Sequence, residues 1–194
     1  MLDLQSSSLP LFPLKTVLVP GGSLALRVFE PRYLDLVREC GRNGSSFGVC
    51  LLLDGAEAGI ATSTAAVGTE AMIEDFSTGA DGLLALRVRG RRRFQARRTR
   101  VRDNGLIVAT VDWRDADVDD ELRPEHAVLG QVLRHILEQL GGEHAQVADT
   151  RLDDAAWVGW RLVELLPLAD QQRQALLQED DPHVRLDELL ALVS

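Results

Sequence analysis

Leu9-Pro10-Leu11-Phe12-Pro13-Leu14, continued by Val17-Leu18-Val19-Pro20-Gly21-Gly22 and then Leu24-Ala25-Leu26-Arg27-Val28-Phe29-Glu30-Pro31-Arg32-Tyr33, decides the fold of this chain. Pro10, Pro13 and Pro20 cannot donate to a β-ladder, so the apolar pieces between them suit short strands at starts and edges. Leu24, Leu26 and Val28 alternate with Ala25, Arg27 and Phe29 in the period-two pattern of a half-buried strand. Pro20-Gly21-Gly22 between the two segments predicts a turn, and the pair reads as a hairpin. Pro31 fits the first position of a helix, where its missing N–H costs little. Tyr33, Leu36, Val37 and Cys40 recur on one face of that helix, and Gly41 is the expected stop.

Working outward, short alternating segments bounded by Gly, Asp and Ser continue to about Trp113. Asp54-Gly55 is expected to close a strand over Phe47 to Leu53. Gly79-Ala80-Asp81-Gly82 separates strands over 71–76 and 83–88, and Asp103-Asn104-Gly105 is a hairpin turn before Leu106 to Val111. Several strands at such spacing suggest a closed or nearly closed barrel. An acidic connector, residues 115–121, then gives way to helical patterning. Leu129, Val132, Leu133, Ile136 and Leu140 form one stripe ended by Gly141-Gly142. Asp153 or Asp154 opens a second helix that runs to the Leu166-Pro167 break, with Ala156, Trp160 and Val163 facing inward. Asp170 and Asp181 read as further N-caps, and Leu186, Leu189, Leu190 and Val193 as the last stripe. The expected class is α+β, with a β-rich subdomain over 1–116 and an α-helical subdomain, a small bundle, over 117–194.

The order of strand, Pro-Gly turn, strand, Phe-Glu-Pro-Arg-Tyr and helix resembles the opening of the substrate-binding N-terminal domain of the Lon protease family. Residues 47–52, 67–73 and 86–94 resemble its later strands, and Leu165-Leu166-Pro167-Leu168 and Asp180-Asp181-Pro182-His183-Val184-Arg185-Leu186 its helical tail. Ala25 departs from the pattern, which often has proline there. The resemblance implies a PUA-like pseudo-barrel with one packed helix. It also implies recognition of unfolded or extended protein segments, with ATPase and protease functions residing in domains not found in this sequence. A separate protease or chaperone is the machine such a module would serve.

Composition narrows the function classes further. A net charge of −9 and a pI near 4.9 argue against a large nucleic-acid footprint. No basic, apolar leader opens the sequence and no apolar run reaches a membrane span of about 20 residues, so a cytoplasmic protein without a membrane partner is expected. No phosphate-cradling Gly-rich loop ending in Gly-Lys-Ser/Thr is present. Lys15 is the only lysine and lies inside the entry motif, which leaves a Ser-Lys dyad no independent position. His126 and His135 stand nine residues apart, about two and a half helical turns, and cannot chelate a metal from one helix. Those two, with His144 and His183, read as structural or solvent-facing. Asp119-Asp120, Asp153-Asp154 and Asp180-Asp181 sit at helix starts and read as caps. Cys40 and Cys50 read as buried thiols. No catalytic residue, cofactor or metal site is expected.

Two segments remain as candidate binding surfaces. Between Arg87 and Arg102 nine arginines crowd an otherwise acidic chain. They read first as a solvated sheet face, and otherwise as a groove for acidic peptide segments through Arg89, Arg91, Arg92 and Arg93. RNA is the alternative partner, with only Phe94 available for stacking. The corner Phe29-Glu30-Pro31-Arg32-Tyr33 reads as a local structural device, with Phe29, Arg32 and Tyr33 as candidate peptide or partner contacts.

Overall fold

The computed structural model describes residues 6–55, 61–147 and 149–194. They form two compact units, divided after Asp115.

In the first unit six strands, β1 (Ser7–Leu14), β2 (Ser23–Val28), β3 (Phe47–Gly55), β4 (Ala61–Thr78), β5 (Leu84–Val101) and β6 (Ile107–Trp113), follow the spatial order β2-β5-β4-β3-β1-β6. β6 also pairs with β5. The pairings therefore run from β5 through β4, β3, β1 and β6 back to β5, and β2 is added outside that ring. β1 tolerates its prolines by changing neighbours. Ser7–Pro10 run antiparallel to β6, whereas Leu11–Leu14 run parallel to β3. Each half has a paired edge and an edge from which no N–H is needed.

The expected hairpin between the two N-terminal segments does not form. Val17–Val19 lie outside any strand, and β2 pairs antiparallel with β5, Leu24 opposite Val88 and Leu26 opposite Leu86. The cause is a long-range clasp: the Gly21 N–H donates to the Gly90 carbonyl at 2.8 Å, and the Gly90 N–H to the Gly22 carbonyl at 2.8 Å. The turn chemistry of Pro20-Gly21-Gly22 is thus spent on close approach to β5 rather than on joining β1 to β2. The 103–105 turn does join β5 to β6, with Ile107 opposite Val101. β3 stays paired through Gly55, opposite Ala61, so the strand outlasts Asp54; residues 56–60 lie outside the described residues.

One helix, α1 (Pro31–Asn43), begins at Pro31 as expected but passes Gly41 and ends at Gly44, whose φ of 61° closes it in the left-handed region. Gly41 lies on the exposed face, where the helix continues without a Cβ. Tyr33, Leu36 and Cys40 are buried, and the Tyr33 ring stacks on Phe12 with centroids 3.9 Å apart. Phe47, Val88 and Leu36 are fully enclosed in the same core. Burial of each such side chain is worth about 1.5–3 kcal/mol, which ties α1 to the strands.

The second unit is helical: α2 (Ala127–Leu140), α3 (Asp149–Leu152), α4 (Ala155–Leu165), α5 (Asp170–Gln178) and α6 (Pro182–Val193). Asp154 caps α4, accepting from the Trp157 N–H at 3.0 Å, and Asp181 caps α6, accepting from the His183 N–H at 2.8 Å. Asp170 is not a cap. Ala169 holds that position, and the Gln172 side chain returns to accept its N–H at 2.9 Å. On α2 the inward residue of the last turn is Leu137, while Leu140 is exposed. Trp160 and Val163 are buried as expected, whereas Ala156 is only partly covered beside the enclosed Ala155 and Val158.

Candidate functional site: the outer edge of β2

β2 has one partner. Among the described residues it pairs only with β5 and ends the sheet order, so half of its backbone N–H and C=O groups face away from the ladder. Beside it lies a groove of about 420 Å³ lined along β2 by Leu24, Leu26, Val28 and Phe29, with Phe12 and Tyr33 from β1 and α1 contributing aromatic walls. Phe29 is 56% exposed beside this groove. Leu26 and Val28 are buried, and they root the edge in the core while Ala25 and Arg27 point outward. Arg27 forms an ion pair with Asp81.

The strand-to-helix corner is locked rather than open. The Arg32 Nε donates to Glu30 Oε2 at 2.9 Å and Nη1 to the Gly105 carbonyl at 3.2 Å. Its guanidinium lies 4.7 Å from the Tyr33 ring centroid. Tyr33 is buried and presents ring surface to the groove, and Phe29 is the exposed member of the three.

The arginine-rich strand β5 is largely self-neutralised. Arg89 holds Glu74 through two bonds of 2.8 and 3.2 Å, and Arg87 lies 3.8 Å from the same carboxylate. Arg92 holds Glu70 through bonds of 3.0 and 3.3 Å and stacks over the Trp113 ring at 3.8 Å. Arg97 pairs with Asp112 and Arg102 with Glu39. Burial pushes the Glu70 carboxyl up, but hydrogen bonds from Arg92 and Ser46 and the charges of Arg92 and Arg91 outweigh it and hold the group below its ordinary value. Arg93, grouped in sequence with Arg91 and Arg92, is only 4% exposed and offers no open guanidinium face; Arg91 and Arg92 are exposed. The strip is therefore largely a set of ion pairs along β5, of which Arg91 and Arg92 line one depression and Arg97 and Arg98 another.

Sequence reasoning missed three partnerships, all of them in the second unit. Arg185 is fully buried. It makes two bonds to Asp117, at 2.7 and 3.3 Å, donates to the Leu176 and Glu179 carbonyls, and stacks 3.4 Å over Trp160. The acidic connector thus supplies its counter-ion. His126 and His183 are buried, stack with centroids 5.9 Å apart, and bond through Nε2 to Asp187 at 2.6 Å and Asp120 at 2.7 Å. Asp120, read as a helix cap, serves His183 and the Glu121 N–H instead, and both bonds hold its carboxyl below the usual range. Among the described residues no three His, Cys, Asp or Glu side chains gather in a way that could hold a metal ion. No helix among them is long and apolar enough to cross a membrane.

A mixed ring of strands carrying one helix and an edge strand that pairs with one strand only among the described residues, with a helical unit following it in the chain, defines a class of α+β domain. The chain belongs to the family of the ATP-dependent protease La (LON) substrate-binding domain, whose model matches residues 8–194. It is similar to the crystal structure of a Lon N-terminal domain protein from Xanthomonas campestris. The two are 60% identical, with a TM-score of 0.81 and coverage of 95% of this chain and 98% of that one. The N-terminal domain of Mycobacterium avium complex Lon protease shares the fold at 20% identity and a TM-score of 0.68, over 95% of this chain and 97% of that one. No curated protein sequence matches it.

Proposed function

We propose that this protein is a non-catalytic module that binds extended segments of unfolded proteins, and that the β2 edge and its groove are where it does so. The carrying observation is the conjunction of an unpaired strand edge with an apolar groove alongside it, in a family defined by a substrate-binding domain. An added strand would satisfy the outward N–H and C=O groups of β2, which gives affinity without regard to sequence. Alternate side chains entering between Phe29, Leu24 and Tyr33 would give a preference for apolar residues. Phe29 and Tyr33 are the contacts in this reading, and Arg32 positions them by pinning the corner to Glu30 and Gly105.

In the same reading the strand ring of the first unit is a PUA-like pseudo-barrel and residues 117–194 a helical bundle. The chain acts in the cytoplasm, without a cofactor, and passes clients to a separate protease or chaperone. RNA is the weaker partner, because a phosphate backbone on β5 would compete with the carboxylates already held by Arg87, Arg89, Arg92, Arg97 and Arg102.

The test is binding of a permanently unfolded, carboxymethylated protein to the wild type and to Phe29→Ser and Leu24→Ser variants. Weakening by about tenfold in each variant, as expected for losing a buried apolar contact, supports the site. Equal binding by all three, or none by the wild type, rejects it.

A further inference from the structure

A second surface of the first unit is built from two adjoining depressions that share Gly44, Ser45 and Met72. One, about 360 Å³, is apolar, with Val37, Ile73 and Phe76 in its lining; Phe76 is 71% exposed. The other, about 450 Å³, is polar and holds Ser8, Glu70, Arg91, Arg92 and Trp113.

The polar end owes its charge to a break in strand register. Thr69 faces Arg93 and Ala71 faces Gly90, so between them β5 contributes Arg91 and Arg92 where β4 contributes Glu70 alone. Such a bulge turns two consecutive side chains out to solvent, where regular alternation would bury one. Arg92 is committed: it holds Glu70, which also accepts from Ser46 Oγ at 2.7 Å, and it rests on Trp113, whose Nε1 donates to Ser7 Oγ at 3.0 Å. Among the described residues no carboxylate lies within ion-pair distance of Arg91, whose charge acts on Glu70 only from farther off. At the other end of the groove Glu74, the extra residue of the β4 bulge between Ile73 and Asp75, is neutralised by Arg89 and Arg87. The continuous groove therefore carries one surplus positive charge at one end and exposed apolar surface at the other, on a chain of net charge −9.

We propose that this groove is a second docking site, selective for an extended protein segment that places an acidic side chain on Arg91 about six residues from an apolar side chain on Phe76. The spacing follows from the ladder: Arg91 stands across from Glu70, and Glu70 and Phe76 are six residues apart on β4, roughly 17–20 Å at strand rise with the bulge at Glu74 between them. Charge complementarity selects the occupant. An acidic side chain pairs with the uncommitted guanidinium while the fixed Arg92–Glu70–Ser46 network stays intact.

The experiment measures binding of a dye-labelled peptide, blocked at both ends, with leucine and glutamate six positions apart in a threonine-serine background, against the same peptide with glutamine for glutamate. Because an exposed ion pair contributes modestly, the wild type should prefer the glutamate peptide about three- to fivefold. Arg91→Gln should erase the preference, Arg91→Lys should restore part of it, and Phe76→Ser should weaken both peptides. Phe29→Ser, on the β2 groove, should change neither, which separates this site from the one proposed above. Equal affinity for the two peptides, discrimination that survives Arg91→Gln, or loss of binding in Phe29→Ser would overturn the proposal. So would displacement of the peptide by single-stranded RNA that Arg91→Gln no longer binds.

Discussion

Gly90→Ala is predicted to be among the most damaging one-carbon changes in the first unit. A Cβ at position 90 would lie 2.1 Å from the Val19 carbonyl oxygen and 3.2 Å from Leu18 Cγ. The backbone of 18–19 must therefore withdraw by roughly 1 Å, as in other overpacked interiors. It cannot do so alone, because the two 2.8 Å bonds between Gly90 and Gly21–Gly22 hold the same segment in place. Overpacking costs about 1–3 kcal/mol and two weakened backbone bonds about 1 kcal/mol each. The reduced entropy of the unfolded chain returns about 0.4–1 kcal/mol. The net loss is about 2–4.6 kcal/mol, which lowers the urea midpoint by about 1–2 M. Gly41→Ala is the control: nothing stands within 4 Å of its Cβ, and at an exposed helical position it should stabilise by about 0.5–1 kcal/mol. A Gly90→Ala protein within 0.5 kcal/mol of wild type would refute the clasp as the device that seats β2 on β5.

Arg185→Met should destabilise the helical unit by about 3–5 kcal/mol in thermal or urea unfolding, because it strands the buried Asp117 carboxylate; replacing Asp117 by Asn in the same chain should recover part of the loss. Glu70→Gln should cost about 1–2 kcal/mol at pH 7 through its charged hydrogen bonds. Because the folded carboxyl sits below its ordinary value of 4.5, that contribution is present above pH 4.5 and fades as the pH falls through the folded pKa; unfolding curves of wild type and variant should converge below it, and a gap unchanged with pH would contradict the assignment. Burial pushes the Cys50 thiol up to about 12 and raises Cys40 as well, so a thiol-specific reagent at pH 8 should label neither until the protein unfolds, and labelling at the rate of a model thiol would disprove their enclosure.

Local chemistry was the legible part of this sequence. Pro31 at a helix start, the caps Asp154 and Asp181, and the Asp103–Gly105 turn each depend on residues within a few positions of one another, and the structure has them where the residue types demand. Partners distant in sequence were not legible. Nothing near Leu24 indicates that it faces Val88, and the clasp that decides it involves Gly90, nearly seventy residues away. The arginine cluster shows the same limit for the site. Its composition is evident, but whether a guanidinium is open depends on which carboxylate lies across the ladder. A single bulge separates Arg91 and Arg92 from the buried Arg93. Nothing in the residues flanking Arg185 signals its burial, which depends on Asp117 and Trp160 being brought to it.

The central claim, that β2 receives an extended segment along its open edge, is tested most directly by backbone amide hydrogen exchange with and without the unfolded protein ligand. Slowed exchange at alternate residues of 23–28, with 84–89 on β5 unchanged, is the predicted result. Ligand bound with no added protection in β2, or protection confined to the arginines of β5 and abolished by salt, would contradict it.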